Sequence, residues 1–484
     1  MIHHRVILKS LGVLFILFSV ALIIPVGVEY YYQDGQVKPY WVTILISTVL
    51  GLSLWCYGTR VPQTLLRSDG FILVVTAWVT LSACGAIPFY LGMQDLPVLD
   101  AFFESVSGLT TTGAELLYNI DDLSHSLRFY HQYLQFLGGL GIIVLAIAIM
   151  PMLGGGQHLL QLDAPGPVTE RRLVPRISGT AQLLWLLYVG LTAVCALGYW
   201  CVGLSVFEAI CEAFSTVSTG GFSIHDSSFA YYQTPGLSVI AMLFMLAGAI
   251  SFNVHYMVWI RKEWREYFNH VETCALLKSI VLITVIVLSV LLFHQSIDWN
   301  WTSIESILFT TVAMLTTTGL KIVDFAYWPT FVPVLLVLCG VVGGCSGSTT
   351  GGIKMGRALL IRTEGLTALK QLIHPQAVLN SALNAKDHIR IQAEAMYGFL
   401  SVFVMFYCLL LMMFMATGYD FYTAFSAITA CLSNVGVAIG QISEGYQELN
   451  VGAKSILIMA MIAGRLEIMV LLVCCLPSFW RQQS

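Results

Sequence analysis

Thr110-Thr111-Thr112-Gly113 stands between two long apolar runs, just after a segment of about ten residues, too short to cross a membrane. Three further stretches repeat the arrangement: Val217-Ser218-Thr219-Gly220, Thr316-Thr317-Thr318-Gly319 and Ser433-Asn434-Val435-Gly436. Between their final glycines the intervals are 107, 99 and 117 residues. One such stretch would mean little, because helices commonly end at glycine. Four of them at domain-scale spacing predict four covalently joined quarters that share one axis.

The surroundings fix the environment. Hydrophobic residues make up 57% of the 484 residues and charged residues 10%, and mean hydropathy is +0.80. A soluble domain cannot hide that much apolar surface, so the chain reads as a polytopic membrane protein. At about 20 apolar residues per spanning helix, roughly twelve candidate spans are expected. The first, near residues 10–28, follows Arg5 and Lys9. It lacks a small-residue cleavage site before the polar Glu29–Lys38 loop and reads as a retained helix. The twelve cysteines are scattered through apolar runs without a Cys-x-x-Cys pair and read as small buried hydrophobes. A net charge of only −4 argues against a nucleic-acid partner.

After two leading helices (about 10–28 and 40–57) the chain falls into four similar blocks, near 70–151, 178–260, 274–361 and 392–475. Each block has a spanning run, a short segment, the glycine stretch and a second spanning run. The short segments, Asp100–Leu109, Ser205–Thr216, Ser303–Leu315 and Phe421–Leu432, must dip into the bilayer and return. The loops carrying Arg60/Arg67, Arg171/Arg172/Arg176, Arg261/Lys262/Arg265 and Lys354/Arg357/Arg362/Lys370/Lys386/Arg390 then fall on one side. The positive-inside rule makes that side cytoplasmic and puts both termini there. The opposite face is rich in acids, which concentrate cations. The expected fold is therefore all-α and polytopic: two N-terminal helices plus four parallel helix–pore loop–helix repeats around one central pore. The expected boundaries are 1–69 for the leading helices and 70–177, 178–273, 274–391 and 392–484 for the repeats. The third repeat also carries an intramembrane loop and a basic cytoplasmic loop.

The glycine stretches have the chemistry of a cation filter. A potassium ion leaves its water only if stacked main-chain carbonyls replace it, and threonine hydroxyls extend such a ladder. Pointing successive carbonyls one way takes backbone angles that side chains oppose, hence Gly113, Gly220, Gly319 and Gly436. The ion would be held by Thr110, Thr111, Thr112 and Gly113, by Val217, Ser218, Thr219 and Gly220, by Thr316, Thr317, Thr318 and Gly319, and by Ser433, Asn434, Val435 and Gly436. The plainer alternative is four helix C-caps. Asp100, Glu104, Glu208, Glu212, Glu305 and Asp420 lie at or near the starts of the short segments, where the helix macrodipole favours a carboxylate.

Two other places stand out. The last span of the third block is interrupted by Gly343-Gly344-Cys345-Ser346-Gly347-Ser348-Thr349-Thr350-Gly351-Gly352, followed by Ile353-Lys354. Five glycines in ten residues break a helix, at about 1 kcal/mol each, and irregular backbone at membrane depth lines a cavity or packs helices closely. Arg465 and Glu467 lie within the last apolar run, where a charge costs about 2.5–3.5 kcal/mol unless it meets protein or water. A structural ion pair near the cytoplasmic end is the alternative for both. His255 is a lone intramembrane histidine, with Asn253 as its expected hydrogen-bond partner.

These residues resemble the Trk/Ktr/HKT superfamily of cation transporters, most closely the membrane subunits of bacterial Trk potassium uptake systems. The resemblance covers almost the full length. It rests on Gly108-Leu109-Thr110-Thr111-Thr112-Gly113-Ala114, Ser218-Thr219-Gly220-Gly221-Phe222-Ser223, Phe136-Leu137-Gly138-Gly139-Leu140-Gly141, the loop Gly343–Gly352 and the segment around Arg465. It implies potassium uptake across the bacterial inner membrane, with one filter glycine per quarter. Gly343, Gly344, Gly347, Gly351 and Gly352 would form a gating loop below the filter, with Arg465 as an electrostatic barrier and Lys354 as a second charge. It also implies a homodimer of pore subunits and a TrkA-like cytoplasmic regulatory partner responsive to NAD or ATP. The chain itself has neither a Walker nor a Rossmann glycine motif, and no organic cofactor is expected. Asn434 and Val435 depart from the threonines of the other quarters. A proton- or sodium-coupled potassium symporter is the competing reading, although such carriers favour inverted repeats and a buried mid-span carboxylate. No paired His/Asp/Glu constellation suggests an enzyme.

Overall fold

The computed structural model describes residues 3–58, 67–93, 95–148, 177–232, 234–374 and 388–481. Among these the chain is entirely helical, with no strand. Arg60, Arg171, Arg172, Arg176 and Lys386, which entered the orientation argument, lie outside the described residues.

The two leading helices form a hairpin. His4–Tyr32 makes one apolar stretch of 29 residues, and Val37–Gly58 returns beside it. The two approach so closely that a side-chain carbon on Gly12 would stand 2.6 Å from the Gly51 carbonyl oxygen, which is how small residues bring membrane helices together.

Each following block has the expected order of long helix, short helix, glycine segment and second helix. The long helices are Arg67–Gly85, Ile177–Val202, Val271–Phe293 and His388–Met415, and the short ones are Val98–Leu109, Val206–Ser218, Trp301–Leu315 and Phe421–Leu432. Local sequence starts the short helices. Ser205 and Glu208 form a reciprocal capping box, Asn300 accepts the Ser303 amide at 2.7 Å, and Asp420 accepts the amides of Tyr422 and Thr423. The first short helix has no such cap but carries Asp100 in its first turn. That carboxylate takes both oxygens to Lys454 of the fourth block, at 2.9 Å each.

Among the described residues, only the first block has an unbroken second helix, at His125–Ala148. In the second, Leu237–Ala249 turns through 102° into Phe252–Trp259, and in the fourth, Val451–Arg465 turns through 109° into Ile468–Cys475. In the third, Phe331–Val342 stops at Gly343 and a helix resumes only at Met355. Six helices among the described residues are long and apolar enough to cross a bilayer, or up to eight if each bent pair is one span. The short helices Trp301–Leu315, Phe331–Val342 and Phe421–Leu432 fall outside that count by length.

The interior divides into two large clusters. One joins the leading hairpin to the first and fourth blocks around Phe89, Phe103, Tyr130, Phe414 and Leu457. The other joins the second and third around Tyr188, Tyr199, Phe252 and Phe309. Large apolar side chains such as Leu45, Leu186, Leu282 and Met405 face outward, the pattern of a surface solvated by lipid.

Candidate functional site: the glycine ring

The four glycine segments share one backbone course. The left-handed region is occupied at Thr111, Thr219, Thr317 and Asn434 (φ +49° to +53°) and again two residues later at Gly113, Gly221, Gly319 and Gly436 (φ +74° to +87°). Between them, the amides of Thr112, Gly220, Thr318 and Val435 each reach back to the last turn of their own short helix, bonding Ser107, Ser215, Ala313 and Ala430 at 2.8–2.9 Å. A side chain in the left-handed region costs about 1–2 kcal/mol. Asparagine tolerates it best, which accounts for Asn434 in the quarter that departs from threonine.

This geometry shifts one expected position. The residue of the second quarter equivalent to Gly113, Gly319 and Gly436 is Gly221, not Gly220. Gly220 matches Thr112, Thr318 and Val435. Consecutive glycines had left the register ambiguous, and the correct frame is Ser218-Thr219-Gly220-Gly221.

The ring closes through those glycines. A side-chain carbon on Gly113 would be driven into the Gly220 carbonyl oxygen, and one on Gly221 into that of Thr318. On Gly319 it would strike the Val435 carbonyl, and on Gly436 that of Thr112. Each quarter thus abuts the next in the order one, two, three, four and back to one. Side chains brace the ring. Thr110 bonds Thr112 at 2.7 Å, Thr316 bonds Thr318 at 2.8 Å, and Asn434 donates to Thr112 Oγ1 at 2.8 Å across the fourth-to-first junction. Val217 lies one step outside the shared frame, where its carbonyl accepts from Thr349.

Two carboxylates hold the chain just beyond the ring. Glu104 and Glu212 stand nine residues before Gly113 and Gly221, both fully buried. Glu104 accepts the Leu116 amide at 3.0 Å and contacts His131 Nε2 at 2.5 Å. Glu212 accepts the Ile224 amide at 3.1 Å and the Ser223 hydroxyl at 2.7 Å. Sequence reasoning placed them with the helix-starting acids; their common spacing from the glycine was the signal for this second role. The fourth quarter uses Ser426, which accepts the Ile439 amide at 3.1 Å.

Gly343–Gly352 packs directly against the ring. The Gly351 amide donates to Thr317 Oγ1 at 2.8 Å, and Thr349 Oγ1 lies 3.1–3.2 Å from the Val217 and Gly248 carbonyls and Thr219 Oγ1. The loop also ties into the break in the second block, with the Cys345 amide on the Ala249 carbonyl and the Phe252 amide on the Gly347 carbonyl. Glu272 accepts the Ser346 amide at 2.7 Å. Gly343, Gly347 and Gly352 take positive φ, while Gly344 and Gly351 are small because backbone or threonine presses on them.

Arg465 is buried at the fourth-block bend and donates to the Thr349 carbonyl at 2.8 Å; its Nε and Nη2 have no hydrogen-bond partner among the described residues. Glu467, two residues on, instead meets Arg357 at 2.7 Å, because the bend turns it away from Arg465. Lys354 caps the loop from below through the Ser348 and Thr350 carbonyls. His255 bonds Tyr267 and the Ala247 carbonyl, at 2.6 and 2.8 Å, rather than Asn253. The break after Ala249 brings that carbonyl within its reach.

Residues 36–481 match the profile of the TrkH family, described as cation transport proteins. The Trk system potassium uptake protein TrkH of Salmonella typhimurium is 39% identical over 482 residues, 99% of this chain and 100% of its own. The Trk system potassium uptake protein TrkG of Escherichia coli is 35% identical, over 99% of both chains. The crystal structure of the potassium transporter TrkH from Vibrio parahaemolyticus matches with a TM-score of 0.90 at 36% identity, covering 99% of this chain and 100% of that one. Fold and relatives together define a multi-pass helical membrane transport protein rather than an enzyme. The chain belongs to the TrkH family of cation transport proteins.

Proposed function

We propose that the chain takes up potassium across the bacterial inner membrane through one pore formed by its four repeats. The cyclic packing of Gly113, Gly221, Gly319 and Gly436 on their neighbours' carbonyls carries this reading. A closed ring of backbone carbonyls at membrane depth, with alternating left-handed residues, suits the replacement of a cation's water shell. The domain limits are those of the sequence, with residues 1–69 outside the four-fold unit. Both termini lie in the cytoplasm, and the acidic loops beyond the ring face outward.

Gly343–Gly352 is the gate in this reading. It presses on the segments of the second, third and fourth quarters, and Arg465 fixes it through one hydrogen bond while presenting positive charge to the path. A TrkA-like cytoplasmic partner that binds NAD or ATP would move the gate, with Lys354 and the basic helix Met355–Ile373 as its nearest contacts. The family resemblance supports this partner and a homodimer of pore subunits. Potassium is cargo, held transiently by the ring.

The test is potassium uptake at limiting external potassium by cells without importers of their own, expressing this chain with a matched regulatory subunit. Rescue by the parent, with loss or a shift toward sodium for Gly113→Ser at equal membrane abundance, supports a glycine-lined filter. Absence of rescue despite correct insertion contradicts it. A reversal potential that moves with protons or sodium would bring the coupled symporter forward.

A further inference from the structure

Two residues beyond each ring glycine stand Glu115, Ser223, Lys321 and Ala438. In the cyclic order of contacts the first and third quarters are opposite, so Glu115 and Lys321 follow ring glycines of opposite quarters. The other two positions are closed off: Ser223 is buried and gives its hydroxyl to Glu212, and Ala438 is buried. Glu115 and Lys321 alone of the four are only partly buried.

One loop joins them. The Tyr446 amide donates to the Glu115 carbonyl at 3.1 Å, and Lys321 Nζ donates to the Ser443 carbonyl at 3.2 Å, so the fourth quarter's outer loop carries both partners on adjacent turns. The charges acting most on Lys321 are Glu115, Asp324 and Glu444. Burial holds the Glu115 carboxyl well above its usual range, with Glu104 adding to that and Lys321 opposing it. Glu115 Oε1 is buried without a hydrogen-bond partner among the described residues. An ammonium set among carboxylates at the entrance of a cation path is unexpected for attraction alone, since the acids by themselves would draw cations better.

We propose that Lys321 is a specificity-determining residue of the outer mouth: a tethered monovalent cation, set against Glu115, that keeps divalent cations from the filter while admitting potassium. The proposal rests on the pore reading above. Its physical basis is that a fixed charge acts on an ion in proportion to the ion's own charge. If Lys321 lowers the local potassium concentration by some factor, it lowers that of a divalent ion by the square of that factor. Discrimination by valence follows without a divalent binding site, and selection between potassium and sodium, which carry equal charge, is left to the ring.

The experiment is rubidium uptake by cells expressing the full chain with its regulatory subunit, measured against external rubidium and against added magnesium chloride. Lys321→Met should lower the KM for rubidium by about threefold and, with rubidium held well below its KM, the half-inhibiting magnesium concentration by about ninefold. Lys321→Arg should keep the parent values, and the rubidium-to-sodium preference should stay unchanged in both. Lys321→Gln, which removes the same charge with a polar side chain, repeats the test if Lys321→Met fails to reach the membrane. An unchanged magnesium response, or rubidium and magnesium shifts of equal factor, would overturn the proposal. Failure of the underlying pore reading looks different, because the parent itself would then show no uptake.

Discussion

Substituting alanine at Gly220 and at Gly221 separates the two possible registers of the second quarter. At Gly221 (φ +87°) the left-handed backbone costs an added side chain about 1–2 kcal/mol, by itself a 5–30-fold loss of the native conformer. The new carbon would also overlap the Thr318 carbonyl oxygen, with its carbonyl carbon at 3.1 Å. That carbonyl belongs to the next quarter's ring segment and cannot retreat without opening the junction, so transport should fall to background. At Gly220 the φ is not positive, and the equivalent Thr112, Thr318 and Val435 carry side chains. The carbon meets only the end of the Gln135 side chain, with Nε2 at 2.8 Å. Moving Gln135 leaves the buried Phe222 amide without its acceptor, a loss of about 1–3 kcal/mol borne by a side chain that can readjust, so uptake should fall but persist. The assay is initial rubidium uptake normalised to the amount of protein in the membrane. Abolished uptake for Gly220→Ala, with more than half retained by Gly221→Ala, would refute the ring register.

Other consequences can be measured alongside. His131→Ala leaves a buried Glu104 oxygen without its close hydrogen-bond partner, which should destabilise the purified protein by about 1–3 kcal/mol; thermal unfolding at neutral pH reads this, and an unchanged Tm would show that the pair is not a structural clamp. Arg465→Ala removes a charged hydrogen bond to the Gly343–Gly352 loop, worth about 1.5–3 kcal/mol; if that loop is the proposed gate, rubidium leak from proteoliposomes without regulatory subunit should rise about 10-fold or more, and an unaltered leak contradicts the proposed barrier role. In the outer loops, desolvation opposes the charge on Asp121, but bonds from His225 and the Asp226 amide outweigh it and hold the carboxyl below its usual range. A depressed carboxyl contributes stability above the unfolded value of about 3.9 and loses it as pH falls through the folded value. Asp121→Asn should therefore flatten the decline of Tm below about pH 4, and identical pH profiles for parent and variant would contradict this.

Much of this architecture is legible in the chain because bilayer physics leaves few choices. Segments of ten to thirteen residues cannot span, glycine-rich backbone cannot be helical, and buried charge needs a partner. Those rules locate the four short helices, the broken third repeat and Arg465. What stayed hidden depends on contacts between distant residues. Gly220 and Gly221 are indistinguishable by composition, and only the packing of Gly221 on Thr318 decides between them. Glu104 and Glu212 look like helix-starting acids until burial shows them gripping Leu116 and Ile224. The bend after Arg465 sends Glu467 to Arg357, and the break after Ala249 gives His255 a carbonyl in place of Asn253. Helix breaks redirect side chains by about 100°, and no residue spacing encodes the direction.

The central claim is that an ion sits on the axis of the glycine ring. Anomalous diffraction from crystals grown in rubidium chloride tests it directly. Anomalous density is expected on the axis, encircled by carbonyls of residues 110–112, 218–220, 316–318 and 433–435. A ring without density, with rubidium bound only at surface carboxylates, would contradict the account.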